Sequence, residues 1–351
     1  CPGFLKSNIF WMSFSSNSNP AGQPSKTAPI HLPWLSPKLV RTSLLPIELP
    51  LNNQRSSMML IIVLRINLEF IYKISLKNIM KRIGLLGCGS IGTQIAIAID
   101  TGIIPAKLTH IFDEDKEKST SLASKLKNKP EIVENVHLLS SNPVDLVVEA
   151  ASQDAVSDNA LSILQNRKDL VIMSSGALLD ESVFEIISDA CKELKKTVYL
   201  PSGAISGIDA IKSVKNELDS VVLTTTKHPN SLKGAKFFDD FKINLDEINE
   251  PSTIFEGTAS EAVRLFPKNI NVSALLSISG LGSHETIVKI IADPNTTKNT
   301  HEIKARGKFG QITTKIENVP DSNNPRTSRL AILSAIETIR SICTSDIKIG
   351  T

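Results

Sequence analysis

The chain has 351 residues, of which 41% are hydrophobic, 21% charged and 5% aromatic. This apolar fraction excludes disorder throughout the chain, and four scattered cysteines exclude a disulfide scaffold and a cysteine-bound zinc site. Residues 1–79 hold eight of the 39 basic and two of the 36 acidic side chains, which leaves 31 basic and 34 acidic ones for the other 272 residues. The main part of the chain therefore lacks the basic excess that nucleic-acid binding requires.

Residues 1–79 differ in character from the rest. Residues 13–37 are rich in Ser, Asn and Pro and show neither helical nor strand periodicity. The apolar run at 58–64 is followed by three charged side chains within ten residues, whereas a membrane span needs about 20 nearly uncharged residues. We expect a poorly structured or spurious extension ahead of a start at Met80. A membrane tether or targeting segment is the alternative.

A dinucleotide-binding motif follows Met80. The short apolar strand Lys81–Leu86 runs directly into the turn Gly87-Cys88-Gly89-Ser90-Ile91-Gly92, and isoleucines at helical spacing follow. In such a turn Gly87 permits the bend, Gly89 lets the backbone approach a pyrophosphate, and Gly92 allows close packing of helix on strand. Ser90 and Ile91 begin the helix, whose first N–H groups favour phosphate. A tight turn without nucleotide is the alternative interpretation.

The second strand, Lys107–Phe112, ends at Asp113, 21 residues after Gly92. A carboxylate there accepts hydrogen bonds from the adenosine ribose and disfavours a 2′-phosphate. Lys116 and Lys118 lie close by in the sequence, so both NAD and NADP stay open as cofactors.

The alternation of strands and helices continues to residue 200. Strands are expected at 144–148, 170–173 and 197–200, with helices at 154–164 and 181–194. This order predicts a Rossmann domain over residues 80–200, an α/β fold with a doubly wound parallel sheet. Its strands end in small or polar residues, at Glu149–Ser152, Ser174–Ala177 and Pro201–Ala204. We expect these ends, with Ala151 and Ser152 among them, to face the nicotinamide, although Glu149 is equally well an ordinary strand-end acid.

The second half is less regular and predicts an α+β substrate domain over residues 201–325, an open sheet with helices on one face. Strands are expected at 221–226, 252–256, 284–292, 301–306 and 311–319, and helices at 205–214, 259–266, 271–278 and 324–342. The last helix and the tail form a separate segment, 326–351.

Several segments together carry a resemblance to a known family. They are Gly87–Gly92, Val148–Ala151, Ser174–Ala177, Pro201–Asp209, Phe255–Gly257, Leu265–Val272, Ala292–Pro294, Asn299–His301 and Asn323–Ser328. With them, the chain from Met80 onward resembles the L-aspartate dehydrogenases that feed NAD biosynthesis. Phe-Pro-Lys-Asn-Ile-Asn-Val and Ala-Asp-Pro are far more specific than the glycine motif. His228 departs from the proline of related sequences, which puts the shape of that loop in doubt.

The resemblance implies roles for individual residues. The catalytic histidine of the family corresponds to His301, seven residues after Pro294, and the cofactor-contacting residues correspond to Ala177 and to Asn269 or Asn271. A histidine suits proton transfer near neutral pH, whereas an arbitrary histidine is more often a surface residue. A dicarboxylate substrate also needs cationic or amide donors. Beside the two asparagines, the candidates are Ser202, the Gly203 N–H, Lys227 and Lys268, which the sequence does not rank.

We therefore expect a cytoplasmic, NAD(P)-dependent dehydrogenase that oxidises L-aspartate to iminosuccinate. By resemblance it is a homodimer, and we expect no metal, membrane or nucleic-acid partner. One alternative is a related dehydrogenase for another small acid, such as homoserine. The other is a non-catalytic NAD-binding sensor.

Overall fold

The computed structural model describes residues 80–266, 271–321, 327–344 and 347. The expected extension 1–79 and the candidate site residues Lys268 and Asn269 lie outside these residues. Within the described ranges, none of the helices has the length and apolar character needed to cross a bilayer.

The first domain contains a six-stranded sheet in the order β3-β2-β1-β4-β5-β6, in which all neighbouring strands are parallel. The strands are β1 (Lys81–Leu86), β2 (Ala106–Phe112), β3 (Glu131–Ile132), β4 (Leu146–Glu149), β5 (Asp169–Ile172) and β6 (Val198–Tyr199). The helices between them are α1 (Ser90–Asp100), α2 (Lys116–Lys125), α3 (Val136–Ser141), α4 (Gln153–Gln165) and α5 (Glu181–Leu194). This is the expected Rossmann order, and the chain reverses direction across the sheet between β1 and β4.

The central strands of this sheet are apolar along their length because helices cover both faces. Ile83 and Leu85 of β1 belong to one core cluster, which includes Ile95 of α1. A second core cluster contains Val147 of β4 and Ile163 of α4. The two clusters hold the carboxyl ends of β1 and β4 side by side, at the position where open α/β sheets bind ligands.

The second domain contains a five-stranded mixed sheet in the order β11-β10-β7-β9-β8. Its strands are β7 (Leu218–Lys227), β8 (Ser252–Thr258), β9 (Thr286–Ala292), β10 (Asn299–Gly307) and β11 (Gly310–Asn318). Its helices are α6 (Ile208–Ser213), α7 (Lys236–Phe241), α8 (Ala259–Leu265) and α9 (Asn271–Ser279). Only the β7–β9 pair is parallel.

Burial alternates along these strands, which defines an inner and an outer face of the second sheet. The inner face packs on helices: Leu223 and Ile303 contact the α9 side, and Val288 contacts a group of phenylalanines that includes Phe237 and Phe266. The outer face is half-exposed and mixes apolar with charged side chains. The domain is thus the expected open sheet with helices against one side.

The C-terminal helix, α10 (Arg329–Cys343), returns to the first domain. Ala335 and Ile339 are fully buried in the same core cluster as Ile95 of α1. The segment that follows the second domain in sequence therefore completes the core of the first.

Several predicted bounds differ from the structure by a few residues, and three of these differences have a local reason. The helix expected at 205–214 starts at Ile208, because Gly207 precedes it with a φ of +78°. The helix expected from residue 324 starts at Arg329, since Ser328 forms a bridge to Pro320. The strand expected from residue 301 starts at Asn299, where it pairs with Asn318. The short elements β3, α3 and α7, of two to six residues, were not predicted, because so few residues show no period. The ten-residue helix α2 was also not predicted, because only Ser119 and Leu122 of it are buried and it has no apolar stripe.

Candidate active site

The glycine turn between β1 and α1 has the shape of a phosphate cradle. Gly87 has a φ of +100°, and a Cβ on it would lie 2.6 Å from the Ala150 backbone. A Cβ on Gly92 would lie 2.0 Å from the Gly87 carbonyl oxygen, so both positions require glycine. Around Gly89, in contrast, the position of a Cβ has no atom of the described chain within 4 Å.

The start of α1 is suited to bind the phosphates of a dinucleotide. No side chain caps the helix at Gly89, so the N–H groups of the first turn, which begins with Ser90 and Ile91, face outward together with the positive end of the helix dipole. The room above Gly89 and these donors fit a pyrophosphate. The Ser90 hydroxyl donates to Asp321 at 3.3 Å, which links the turn to the segment after β11.

Asp113 at the end of β2 is fixed beside the glycine turn. Its carboxylate accepts a hydrogen bond from the Cys88 N–H at 2.7 Å and another from the Asp115 N–H at 3.0 Å. Burial, followed by the negative charge of Asp113, raises the pKa of the Cys88 thiol to about 12. Cys88 is therefore a neutral filler of the turn, and the Asp113 carboxylate is held next to the glycines at the end of β2.

Glu149 joins the ends of β4 and β5 and does not face the cleft. Its carboxylate is buried and accepts hydrogen bonds from the N–H groups of Ala151, Met173 and Ser174 and from the Ser174 hydroxyl, at 2.7–3.1 Å. Burial raises the pKa of Glu149, and these hydrogen bonds oppose the rise. Ser152, the next candidate, caps α4 by accepting from the Ala155 N–H at 3.1 Å. Both polar side chains at this strand end thus have structural partners.

A cavity of about 130 Å³ lies between the two domains beside the carboxyl end of β5. Its size is comparable with cavities on the order of 150 Å³ that hold one small ring molecule. Its wall combines residues of α1, β5, β7, α9, β10 and α10. They are Ile91, Ile172, Met173, Ser175, Pro201, Ser202, Gly203, Ala204, Lys227, Asn271, Val272, Leu275, His301, Thr327, Ser328 and Ala331.

The cavity brings together six candidates that are far apart in sequence: Ile91, Ser202, Gly203, Lys227, Asn271 and His301. Ala177 lies elsewhere, buried in the second core cluster. The cavity wall includes Ala204, which sequence reasoning quoted as part of a strand end but did not select. Thr327, Ser328 and Ala331 were also missed, because only the return of α10 to the first domain brings them here.

Asn271 connects the two domains at the cavity wall. Its side-chain oxygen accepts from the Gly176 N–H at 3.1 Å, and its carbonyl oxygen accepts from the Ser175 hydroxyl at 3.0 Å. The first residue of α9 is thereby fixed to the segment that follows β5. The segment after β5 and the second domain consequently meet at a defined distance.

His301 lies inside β10 and is only 3% exposed, which excludes a surface-loop histidine. It pairs with Thr225 on one side and Ile316 on the other, and its Nδ1 is 3.0 Å from the Thr225 hydroxyl. Burial, followed by the positive charge of Lys227, lowers the pKa of His301 to about 3. The imidazole is therefore neutral at pH 7 and can accept a proton.

Lys227 ends β7 on the same inner face as Thr225. It is 5% exposed, and burial lowers its pKa to about 8. Below that pH the side chain is an ammonium group on the wall of the cavity. A cation and a neutral imidazole on one wall can together hold an anion and take a proton from it. In the described ranges, no group of three His, Cys, Asp or Glu side chains is arranged to bind a metal.

Comparisons with known proteins find dehydrogenase relatives for both domains. Residues 87–201 match the family model described as "Homoserine dehydrogenase, NAD binding domain", and residues 209–342 match "Aspartate dehydrogenase, C-terminal". The chain is 68% identical over 272 residues to L-aspartate dehydrogenase of Nitrosopumilus maritimus and 45% identical over 273 residues to that of Methanocella arvoryzae. Each match covers 78% of this chain and all of the relative. The crystal structure of aspartate dehydrogenase from Thermotoga maritima superposes with a TM-score of 0.61 at 28% identity, covering 77% of this chain and 99% of that one.

The glycine turn generates a test that separates binding from folding. Gly89 has φ −71° and ψ −162°, which alanine adopts, so Gly89→Ala should change the free energy of unfolding in urea by less than about 0.5 kcal/mol. The added methyl group occupies the room for the pyrophosphate, and we expect the dissociation constant for NADH, measured by fluorescence titration, to rise at least about tenfold. Gly92→Ala is the contrast, because its methyl group meets the Gly87 carbonyl and should destabilise the fold. Wild-type NADH affinity in Gly89→Ala would contradict the assignment.

Proposed function

Because this chain belongs to the L-aspartate dehydrogenase family, we propose that it oxidises L-aspartate with NAD or NADP. The product is iminosuccinate, which hydrolyses to oxaloacetate and ammonia or supplies de novo NAD biosynthesis. The observation that carries the proposal is the pairing of a buried cation, Lys227, with a buried neutral imidazole, His301, on the wall of one cavity.

The residues that would hold the cofactor are those of the first domain. The turn Gly87–Gly92, with Ser90 and Ile91 at the start of α1, would bind the pyrophosphate, and Asp113 would accept from the ribose. When bound, the nicotinamide supplies the oxidant that accepts a hydride from the substrate. We place it toward the strand ends that contain Ala151, Ser152 and Ala177, with Asn271 on the side of the second domain. Asn269 stays a further candidate by resemblance.

His301 is the proposed general acid and base. Loss of hydride from Cα must be accompanied by loss of a proton from the substrate ammonium, and a neutral imidazole can take that proton. A carboxylate bound beside Lys227 would offset the positive charge that lowers the His301 pKa, so substrate binding makes His301 a stronger base. The same imidazole can then activate the water that hydrolyses the imine.

Lys227 is the proposed anchor for a substrate carboxylate, with Ser202, the Gly203 N–H and Lys268 as further donors. A buried ammonium group favours an anion over a neutral group, because charge attraction is stronger in the protein interior than in water. Homoserine has a hydroxyl where aspartate has its second carboxylate, so this arrangement disfavours the rival substrate.

A homodimer in the cytoplasm belongs to the same proposal. The cytoplasm holds the aspartate and NAD(P) that the reaction consumes. For the dimer, the supporting feature is the outer face of the second sheet. Val222 and Ile287 are adjacent there and half-exposed, beside the ion pair of Lys289 with Glu256 at 2.7 Å. Apolar side chains within a charged border are typical of an interface between subunits.

The proposed reaction is tested with the full chain and either NAD or NADP, by following reduced-nicotinamide absorbance. L-Aspartate should give a rise, whereas D-aspartate, glutamate, homoserine and malate should not. A chain that starts at Met80 should react equally fast, because the cavity and the glycine turn lie within it.

His301→Asn should lower turnover about 10²- to 10⁴-fold and leave NADH binding unchanged. Preferred oxidation of homoserine would favour the related dehydrogenase, and cofactor binding without reduction would favour the sensor.

The pH dependence of substrate binding tests Lys227. The ammonium group is charged below its pKa of about 8 and neutral above it, so the KM for L-aspartate should rise as the pH increases through 8. Lys227→Met should raise KM at pH 7 about ten- to a hundredfold, because a hydrogen bond to a charged group is worth about 1.5–3 kcal/mol, and it should remove this pH dependence. Lys212→Met, on the exposed side of α6, is the control. If KM is unchanged in Lys227→Met, Lys227 does not bind the substrate and its role is structural.

The subunit interface is tested by sedimentation of the full chain, for which we expect twice the mass of one chain. Ile287→Lys introduces a charge beside Val222 on the outer face and should give monomers, because the charge is repeated on both subunits. Ile132→Lys is the matched control, since Ile132 is an exposed isoleucine on β3 of the other domain. A dimer that tolerates Ile287→Lys would place the interface elsewhere.

A further inference from the structure

We propose that Thr225 is the positioning residue for His301: its hydroxyl fixes the imidazole ring and directs Nε2 toward the substrate. The inference rests on the proposed function, in which His301 transfers the proton. It adds a residue that neither the glycine motif nor the resemblance identified.

The geometry of the two strands places Thr225 at the ring. Thr225 and His301 are directly opposite each other on antiparallel β7 and β10, with side chains on the inner face. The Thr225 hydroxyl is 3.0 Å from Nδ1, and both residues are buried, at 7% and 3% exposure. A β-branched side chain has few rotamers, so its hydroxyl is held in place. In the low-dielectric interior this hydrogen bond is stronger than it would be in water.

The position of the cavity then assigns the other ring nitrogen. His301 lines the cavity, whereas Thr225 is not among the residues of the cavity wall. Nδ1 is engaged by Thr225, and Nε2 makes no hydrogen bond to any residue that the structure describes. The nitrogen that can meet the substrate is therefore Nε2.

A hydroxyl group suits this place because it can both donate and accept. While His301 is a base, its proton is on Nδ1 and the Nδ1–H donates to the Thr225 oxygen, which leaves the Nε2 lone pair free. In the transfer step an N–H bond of the substrate ammonium breaks, the proton joins Nε2, and the bonding pair stays on nitrogen to form the C=N bond. The hydride lost from Cα goes to NAD(P)⁺, so the amine is oxidised and the cofactor is reduced. The Nδ1–H bond to Thr225 persists in the imidazolium.

An uncharged partner also preserves the electrostatics of the cavity. Lys227 is two residues after Thr225 on the same face of β7. A carboxylate in place of the Thr225 hydroxyl would raise the basicity of His301 permanently and would compete with the substrate for Lys227. With threonine at this position, the carboxylate of the substrate is the group that brings a negative charge next to Lys227. The hydroxyl therefore orients the base without changing its charge.

The test uses three variants of the full chain. Thr225→Val has the same shape and lacks the hydroxyl, and Thr225→Ser restores it. Thr286→Val is the matched control, because Thr286 is a fully buried threonine on the same inner face whose hydroxyl has no hydrogen-bond partner among the described residues. We expect kcat of Thr225→Val to fall about ten- to a hundredfold, with the KM for L-aspartate and the NADH dissociation constant within about threefold of wild type. Thr225→Ser should keep most of kcat, and Thr286→Val all of it.

A second readout is independent of turnover. Nitrogen-15 NMR of His301 should show the Nδ1–H tautomer in the wild type and in Thr225→Ser, and a mixture of tautomers in Thr225→Val. If the wild type does not oxidise L-aspartate, the proposed function fails, and the NMR result still decides whether Thr225 sets the tautomer. The inference is overturned if Thr225→Val keeps wild-type kcat, if its loss lies in KM, if serine does not restore kcat, or if the tautomer is unchanged.

Discussion

The pairing of β7 with β10 is the constraint on which the chemistry of the cavity depends. His301 is opposite Thr225 in this register, and Lys227 follows on the same inner face. Because side chains alternate between the faces of a sheet, a shift by one residue would turn His301 and its neighbours to the outer face together. The register is held by Leu223 and Ile303, which lie in the core beneath the same face. Packing in the second domain thus determines the position of His301, the proposed proton-transferring group.

The first domain is connected to this face by hydrogen bonds at the ends of its strands. Glu149 fixes the ends of β4 and β5 to each other, and Asn271 fixes the segment after β5 to the first turn of α9. Neither side chain needs to react. Asn271 sets the distance between the two domains at the cavity, and Glu149 holds in place the strand ends on which that distance depends. Transfer between bound reactants requires such fixed distances.

Most of the fold could be predicted from the sequence, because the patterns that indicate it are local. The glycine turn, the apolar strands and the spaced Asp113 lie within a few dozen residues and predict the Rossmann order directly. The environment of His301 was harder to predict from the sequence. Its place inside a strand depends on pairing with residues about 75 positions earlier, and its burial depends on helices from other parts of the chain. Ala204 and Ser328 reach the cavity for the same reason, through contacts that no local period encodes.

The return of α10 makes the first domain discontinuous, so the second domain is an insertion within it. The chain crosses between the domains twice, after β6 and again between β11 and α10. Two connections resist twisting and separation but leave rotation about the line that joins them, which is the geometry of a hinge. Ser202 lies at one crossing and Ser328 at the other, and both are part of the cavity wall. The axis of such a rotation therefore passes beside the cavity, where a rotation displaces atoms least, so the two crossings keep the opposite sides of the cavity together.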